Sequence, residues 1–221
     1  MDWATLWPPF GLSLRCGPLE MHPVRFDDMP ALIALIDSGI IADDVPNYPM
    51  ISPFGLGGYT LDEQRDSLQF WWSTWANLTP GRWAIPMTAA LDGVIVGVQD
   101  IMATDFPTLR SAETGSWLAV AHQGRGTGTL MRQVIAAFAF DHLGARELHS
   151  GAFHDNARSL AVGRKAGYVE NGRCLVRRGN GEVDVEIRTR LLPDQLVRPG
   201  HPLEVSGLVG FLEFLGLDAP A

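Results

Sequence analysis

The chain has 221 residues, 46% of them hydrophobic and 19% charged, and a net charge of −8. That length suits one large domain or a domain with an appendage, and the apolar content excludes wholesale disorder. The negative charge argues against nucleic acid as a partner, because neutralising phosphate needs clustered Lys and Arg. No apolar run reaches about 18 residues, so no membrane span or membrane partner is expected. The start, MDWATLWPPFGLSLRCG, has no basic segment and is broken by Pro8 and Pro9, so no signal peptide is expected either. Cys16 and Cys174 lack a pairing pattern and read as reduced thiols of a cytoplasmic protein. The 6 histidines show no paired-ligand spacing, so no metal site is expected.

In chain order, residues 12–16 and 19–24 alternate as short strands do. Asp27 and Asp28 suit the N-cap of a helix with Pro30 in its first turn. Residues 43–60 are rich in Pro and Gly without a period, the mark of a long and often functional loop. Thr60 opens a helix, with Glu63 completing a capping box; Leu61, Leu68, Trp71, Trp72 and Trp75 are expected along one side of it. Residues 83–91 and 94–101 flank Asp92-Gly93, the clearest hairpin signal, with a type I′ turn. A strand over 115–121 leads into a glycine-rich turn and a helix over 129–144, closed by Gly144. A strand over 147–153, a short helix over 155–167 and a hairpin of 168–178 with 183–192 complete an α/β chain with a mixed, mostly antiparallel sheet. Residues 193–202 read as a linker. Residues 203–217 read as a short apolar helix that must pack on its own domain or on another copy. The expected organisation is a domain over 1–192 and a packing or oligomerisation element over 193–221, so a homo-oligomer is expected.

The turn HQGRGTGTL, His122 to Leu130, raises the main functional question. A glycine turn between strand and helix aims free backbone N–H groups and the positive end of the helix dipole at one spot. Glycine lets the backbone approach an anion and adopt positive φ. Pyrophosphate is a natural guest, and a tight structural turn is the alternative. The lysine of a P-loop is missing, and the GxGxG spacing after antiparallel strands fits a dinucleotide fold poorly.

Gln123-Gly124-Arg125-Gly126-Thr127-Gly128 resembles the Q/R-x-x-G-x-G/A signature of the GNAT superfamily of N-acyltransferases. GSWLAVAHQGRGTGTLM, NARS (156–159) and KAGY (165–168) are similar to its RimJ/RimL-like branch, and to an actinobacterial member described as a succinyltransferase. The resemblance spans residues 12–192. It implies the GNAT fold, with a splayed strand before the glycine turn. It also implies an acyl-CoA co-substrate, acetyl-CoA or succinyl-CoA, and an amine acceptor, either a small molecule or a protein amine. The CoA pyrophosphate is then expected on the amides of Gln123, Gly124, Arg125, Gly126, Thr127 and Gly128. The pantetheine arm is expected along Leu118, Ala119 and Val120, and against Asn156. Asn156 serves equally as a helix N-cap. Lys165 is expected to reach a CoA phosphate or to be a solvated surface lysine.

Acyl transfer to an amine requires a base, an oxyanion contact and an acid for the leaving thiolate. Where the resemblance places an acidic tyrosine, this sequence has Gly163. Ser159, at the serine position of N-x-x-S, takes the acid role or is simply a serine in a first helical turn. Glu113, just before the central strand, is the candidate base, with His122 and His154 as alternatives. No cysteine stands in a nucleophile context, so direct attack in a ternary complex is expected. Loop 43–60 and the Trp-rich helix are expected to shape the acceptor site, unless the tryptophans are only core. The rival reading is a non-catalytic CoA-binding or assembly protein of the same fold.

Overall fold

The alternating N-terminal segments form β1 (Ser13–Cys16) and β2 (Leu19–Pro23), behind a short α1 (Trp3–Leu6), in a computed structural model that describes residues 2–42 and 59–217. Then come α2 (Met29–Asp37), α3 (Leu61–Ala76), β3 (Arg82–Leu91), β4 (Val94–Thr104) and α4 (Phe106–Leu109). After them come β5 (Ser111–Leu118), α5 (Thr127–Asp141), β6 (Glu147–Phe153), α6 (Ala157–Ala166), β7 (Val169–Arg177), β8 (Val183–Leu191), β9 (Glu204–Ser206) and α7 (Leu208–Leu215). Among the described residues the strands form one sheet in the order β7-β8-β6-β5-β4-β3-β2-β1-β9. Every neighbouring pair is antiparallel except β5 with β6. This is the mixed α/β, mostly antiparallel architecture expected.

Asp92 and Gly93 take φ of 49° and 79°, so the hairpin turn has positive φ at both centres as type I′ requires. Core residues gather on both faces of the sheet. Met131, Val134, Ile135 and Phe138 of α5 lie in one buried cluster. Leu32 and Ile36 of α2 and Trp71 of α3 lie in the other, with Val98 and Trp117 from the strands.

Local readings needed four corrections. Asp28 does not cap α2 with its side chain. Its carboxylate instead accepts bonds from the Arg25 amide and the Thr88 hydroxyl, which is buried on β3 and requires a partner. On α3 the buried residues are Ser67 and Trp71, while Leu61 and Trp72 are exposed. Successive helical residues differ by about 100°, so Trp72 cannot share Trp71's side. β5 starts at Ser111 and stops at Leu118, and α5 starts at Thr127. The tail begins with a strand, not a helix: β9 pairs with β1, and Phe211, Leu212 and Leu215 of α7 join the α5-side core. The apolar face that suggested an oligomer is therefore covered by the chain itself. Residues 193–202 also run against the domain, since Val197 donates to the Ala166 carbonyl. The expected loop at 43–60 lies mostly outside the described residues.

The capping box of α3 is formed, with Glu63 N–H on Thr60 Oγ1 at 3.3 Å and Thr60 N–H on Glu63 Oε2 at 2.8 Å. Thr60→Ala is expected to cost about 1 kcal/mol. In a chain of this size that lowers the melting temperature by about 2–4 °C, readable by calorimetry.

Candidate active site

β5 and β6 pair only through Ser111–Glu113 and Glu147–His149. Beyond that point β5 stays on β4 as far as Leu118, and β6 stays on β8 as far as Phe153. The sheet therefore splits along its middle. The wedge is filled from the α5 side by Arg132, a side chain only 3% exposed. Its guanidinium donates to Ser150 Oγ of β6 at 2.7 Å and to Ser116 Oγ of β5 at 3.2 Å. Ser150 Oγ also donates to the Thr114 carbonyl, and the Thr114 hydroxyl meets the buried Tyr168 hydroxyl at 2.8 Å. A buried cation must be hydrogen-bonded, and here the bonding groups belong to both diverging strands. Helix periodicity alone gave no sign of this role for Arg132.

The glycine turn lies at the open end of the split. Gly124 and Gly126 take φ of 76° and 89°, and a Cβ at either would meet nothing within 4 Å. Gly126 is the N-cap of α5, and no side chain caps that helix. The first amides of α5 thus face open space with the helix dipole behind them, a ready site for an anion. At Gly128 a Cβ would lie 3.4 Å from Leu118 Cδ1 and 3.7 Å from Val162 Cγ2, so the first turn of α5 packs on the end of β5 and on α6. Arg125 is exposed and Thr127 is buried.

Several expected cofactor contacts have other partners. Ala119 and Val120 lie past the strand, and their N–H groups donate to Val96 and Gly39 carbonyls. Gln123 is a brace: its N–H donates to Val120, and its side-chain amide donates to Ile40 and Leu118 carbonyls at 2.9 Å each. The open cradle therefore begins at Gly124. Asn156 caps α6, its Oδ1 accepting from Ser159 N–H at 3.0 Å, and Ser159 is half-buried in that first turn. Lys165 is exposed in the last turn of α6. It lies seven residues, roughly 10 Å of helix, beyond Arg158. Arg158 is the cation of α6 that reaches the glycine turn, with Nη1 3.4 Å from Gln123 Oε1. It sits within the NARS segment, where the sequence already displayed it.

The opposite face of the split, under the end of α3, opens into a cavity of about 710 Å³ lined by Asn77, Arg82, Met102, Glu113, His149 and Arg188, among others. Glu113 does reach this cavity, where Arg188 holds it at 3.2 Å. Arg188 also bonds Glu186 at 2.9 Å. On the same face stands Asp100 of β4, opposite Gly115 of β5. Its carboxyl is pushed up to about 7 by burial, against the opposing charge of Arg132. Sequence reading passed over Asp100 because it looks like any polar residue of a hairpin strand. His122 sits in the short turn after β5, and His154 pairs with Asp184 at 3.2 Å. His154, Asp155 and Asp184 bring potential metal-ligating atoms together. Arg178 supplies a cation there, bonding both aspartates and lying over the Phe153 ring.

Among the described residues no helix is long and apolar enough to cross a membrane. The solved structures similar to this chain include Mycobacterium smegmatis RimJ in complex with a CoA-disulfide. Its TM-score is 0.68 at 21% identity, covering 94% of this chain and 95% of that one. The ribosomal-protein-S5-alanine acetyltransferase from Vibrio fischeri matches with a TM-score of 0.63 at 18% identity, over 83% and 98%. The spermidine N-acetyltransferase from Vibrio cholerae, in complex with CoA and spermine, matches with 0.60 at 16%, over 80% and 97%. At such identities these likenesses establish the fold. The family model described as the acetyltransferase (GNAT) domain matches residues 19–169, most of the chain. The chain belongs to the GNAT acetyltransferase family, and it is a transferase enzyme.

Proposed function

We propose that the chain is an acyl-CoA-dependent N-acyltransferase that moves an acetyl or succinyl group to a primary amine by direct attack in a ternary complex. The observation that carries this is the open cradle at Gly124 and Gly126, set at the mouth of the split sheet. The space beside both glycines is open, and the uncapped first amides of α5 there can receive an anion. The CoA pyrophosphate is placed on the amides of 124–129, with Arg125 and Arg158 close by. The pantetheine arm runs along the edge of β5 that β6 has left, ending near Leu118, and passes Asn156. Neighbours of the same fold in complex with CoA support CoA as the co-substrate.

Acyl-CoA supplies the activated carbonyl; the chain's residues do the rest. Ser159, in the first turn of α6, passes a proton to the departing sulfur. Glu113 and His149 line the cavity on the other face, where the amine enters. A small polyamine or a protein N-terminus each presents the amine this requires. Cys16 and Cys174 are free thiols, which suits a reducing cytoplasm.

The test is a thermal shift with CoA, acetyl-CoA and succinyl-CoA, followed by thiol release with a panel of amines. Free ligand at 100 times its dissociation constant stabilises the native state by about 2.7 kcal/mol. That raises the melting temperature by roughly 5–10 °C in a chain of this size. The donor with the largest shift names the acyl group. No shift with any of the three rejects the proposal. A shift without turnover of any amine leaves a CoA-binding protein of this fold.

A further inference from the structure

We propose that Asp100 is the general base of the transfer, taking a proton from the acceptor amine where it meets the thioester. This assignment rests on the acyl transfer proposed above and adds the group that activates the acceptor.

The position is the first argument. Asp100 pairs with Gly115, two residues past the last β5 residue that β6 still holds. It therefore stands where the sheet opens, on the face of the cavity that Glu113 lines. Gly115 leaves the space in front of it clear: a Cβ there would lie 3.7 Å from Asp100 Oδ2. Gly151 leaves no such gap, because the Glu186 carboxylate occupies it, 2.5 Å from where a Cβ would be.

The second argument is elimination by pairing. Glu113 and Glu186 share this side of the split with Asp100. Glu113 and Glu186 are both bound by Arg188, at 3.2 Å and 2.9 Å. Both are thus already engaged by one guanidinium. The Asp100 carboxylate has no hydrogen bond or ion pair to any described residue. Half-buried, it stands two residues along β4 from Met102, which lines the cavity.

Its titration agrees with the geometry. Burial raises it to about 7, and the Arg132 charge, delivered from α5 through the sheet, opposes that rise. A base poised near neutral pH combines ionisation with proton affinity. The groups around it are few. Pro86 opposite on β3 and Gly115 on β5 are uncharged, and Glu113 lies two residues along β5. Just before α2, Asp28 is held by Thr88 and His22, and from α3 the neighbour is the Trp71 indole beside Val98 and Trp117.

The step balances as follows. The amine arrives as R–NH3+, and Asp100 takes one proton to become a carboxylic acid. The freed lone pair attacks the thioester carbonyl carbon, and the C–S bond breaks with its electron pair going to sulfur. The second nitrogen proton passes to the thiolate, directly or by way of Ser159. The third stays on the amide, and Asp100 releases its proton to solvent.

The full chain is assayed by thiol release with its best donor and an accepted amine, across neutral pH. Asp100 must be ionised to act, so wild-type kcat falls as pH drops through about 7. Asp100→Asn is expected to lower kcat by about 100-fold or more, with CoA affinity unchanged. Asp100→Glu is expected to recover part of the rate with a displaced acid limb. If Asp100→Asn fails to fold, Asp100→Glu alone decides, and a wild-type rate with an unmoved acid limb overturns the assignment. Wild-type kcat in Asp100→Asn overturns it while leaving the acyltransferase standing. A wild-type chain that turns over no donor–amine pair overturns the acyl transfer and the base together.

Discussion

Arg132→Met is expected to destabilise the chain by about 3 kcal/mol, since each hydrogen bond to a buried charged group contributes about 1.5–3 kcal/mol. Methionine is close to arginine in length, so little of the loss is a cavity. Exchanging a buried ion pair for apolar residues is often harmless because both charges leave together. Here the charge leaves alone. The hydroxyls of Ser150 and Ser116 stay behind, on strands that no longer share backbone bonds. The melting temperature should fall by roughly 6–12 °C. Activity should respond separately. Arg132 is the positive charge that holds the Asp100 carboxyl down against burial. Removing it favours the protonated form, so the acid limb of kcat must move to higher pH. Denaturant unfolding and a pH–rate profile read the two effects. Unchanged stability would mean that the hydroxyls support the split without the guanidinium, and an unmoved acid limb would mean that Asp100 does not feel Arg132.

What was legible in the sequence were devices that close within a few residues. Asp92-Gly93 declared its hairpin and Thr60 with Glu63 its helix start. The three glycines after an apolar strand marked the turn that leads into α5. The site's remaining parts depend on partners far along the chain. Asp100 gains meaning only when β5 sets Gly115 against it. Arg132 reads as an interruption in an apolar helix until Ser116 and Ser150 close round it. Glu113 was visible as an acid near the cleft, but its partner, Arg188, comes 75 residues later. β9 is not legible as a strand because its three residues have no period of their own. Its pairing with β1 joins segments from opposite ends of the chain. Arg158 did not stand out in the sequence, because a motif match carries no information about which end of a helix faces the glycine turn.

Replacing both Gly124 and Gly126 by alanine is expected to weaken CoA binding by about 100-fold while costing folding only about 2 kcal/mol, from roughly 1 kcal/mol for each side chain forced to positive φ. The free protein offers no clash, since a Cβ at either position meets nothing within 4 Å. The folding cost is therefore backbone strain alone. The binding cost is different in kind. The new methyl groups stand in the space above the first amides of α5, and a turn relaxing away from positive φ re-aims those amides. Gly128 is the internal control. It lies inside the helix, and its Cβ would make ordinary contact with Leu118 and Val162. Gly128→Ala should therefore keep stability within about 0.5 kcal/mol, as a strain-free helical site allows. Isothermal titration with CoA and denaturant unfolding separate the outcomes. If the double variant loses stability yet keeps its CoA affinity, the glycines serve the turn and not the ligand. If affinity falls far more than strain accounts for, the open space at the head of α5 is where the pyrophosphate lies.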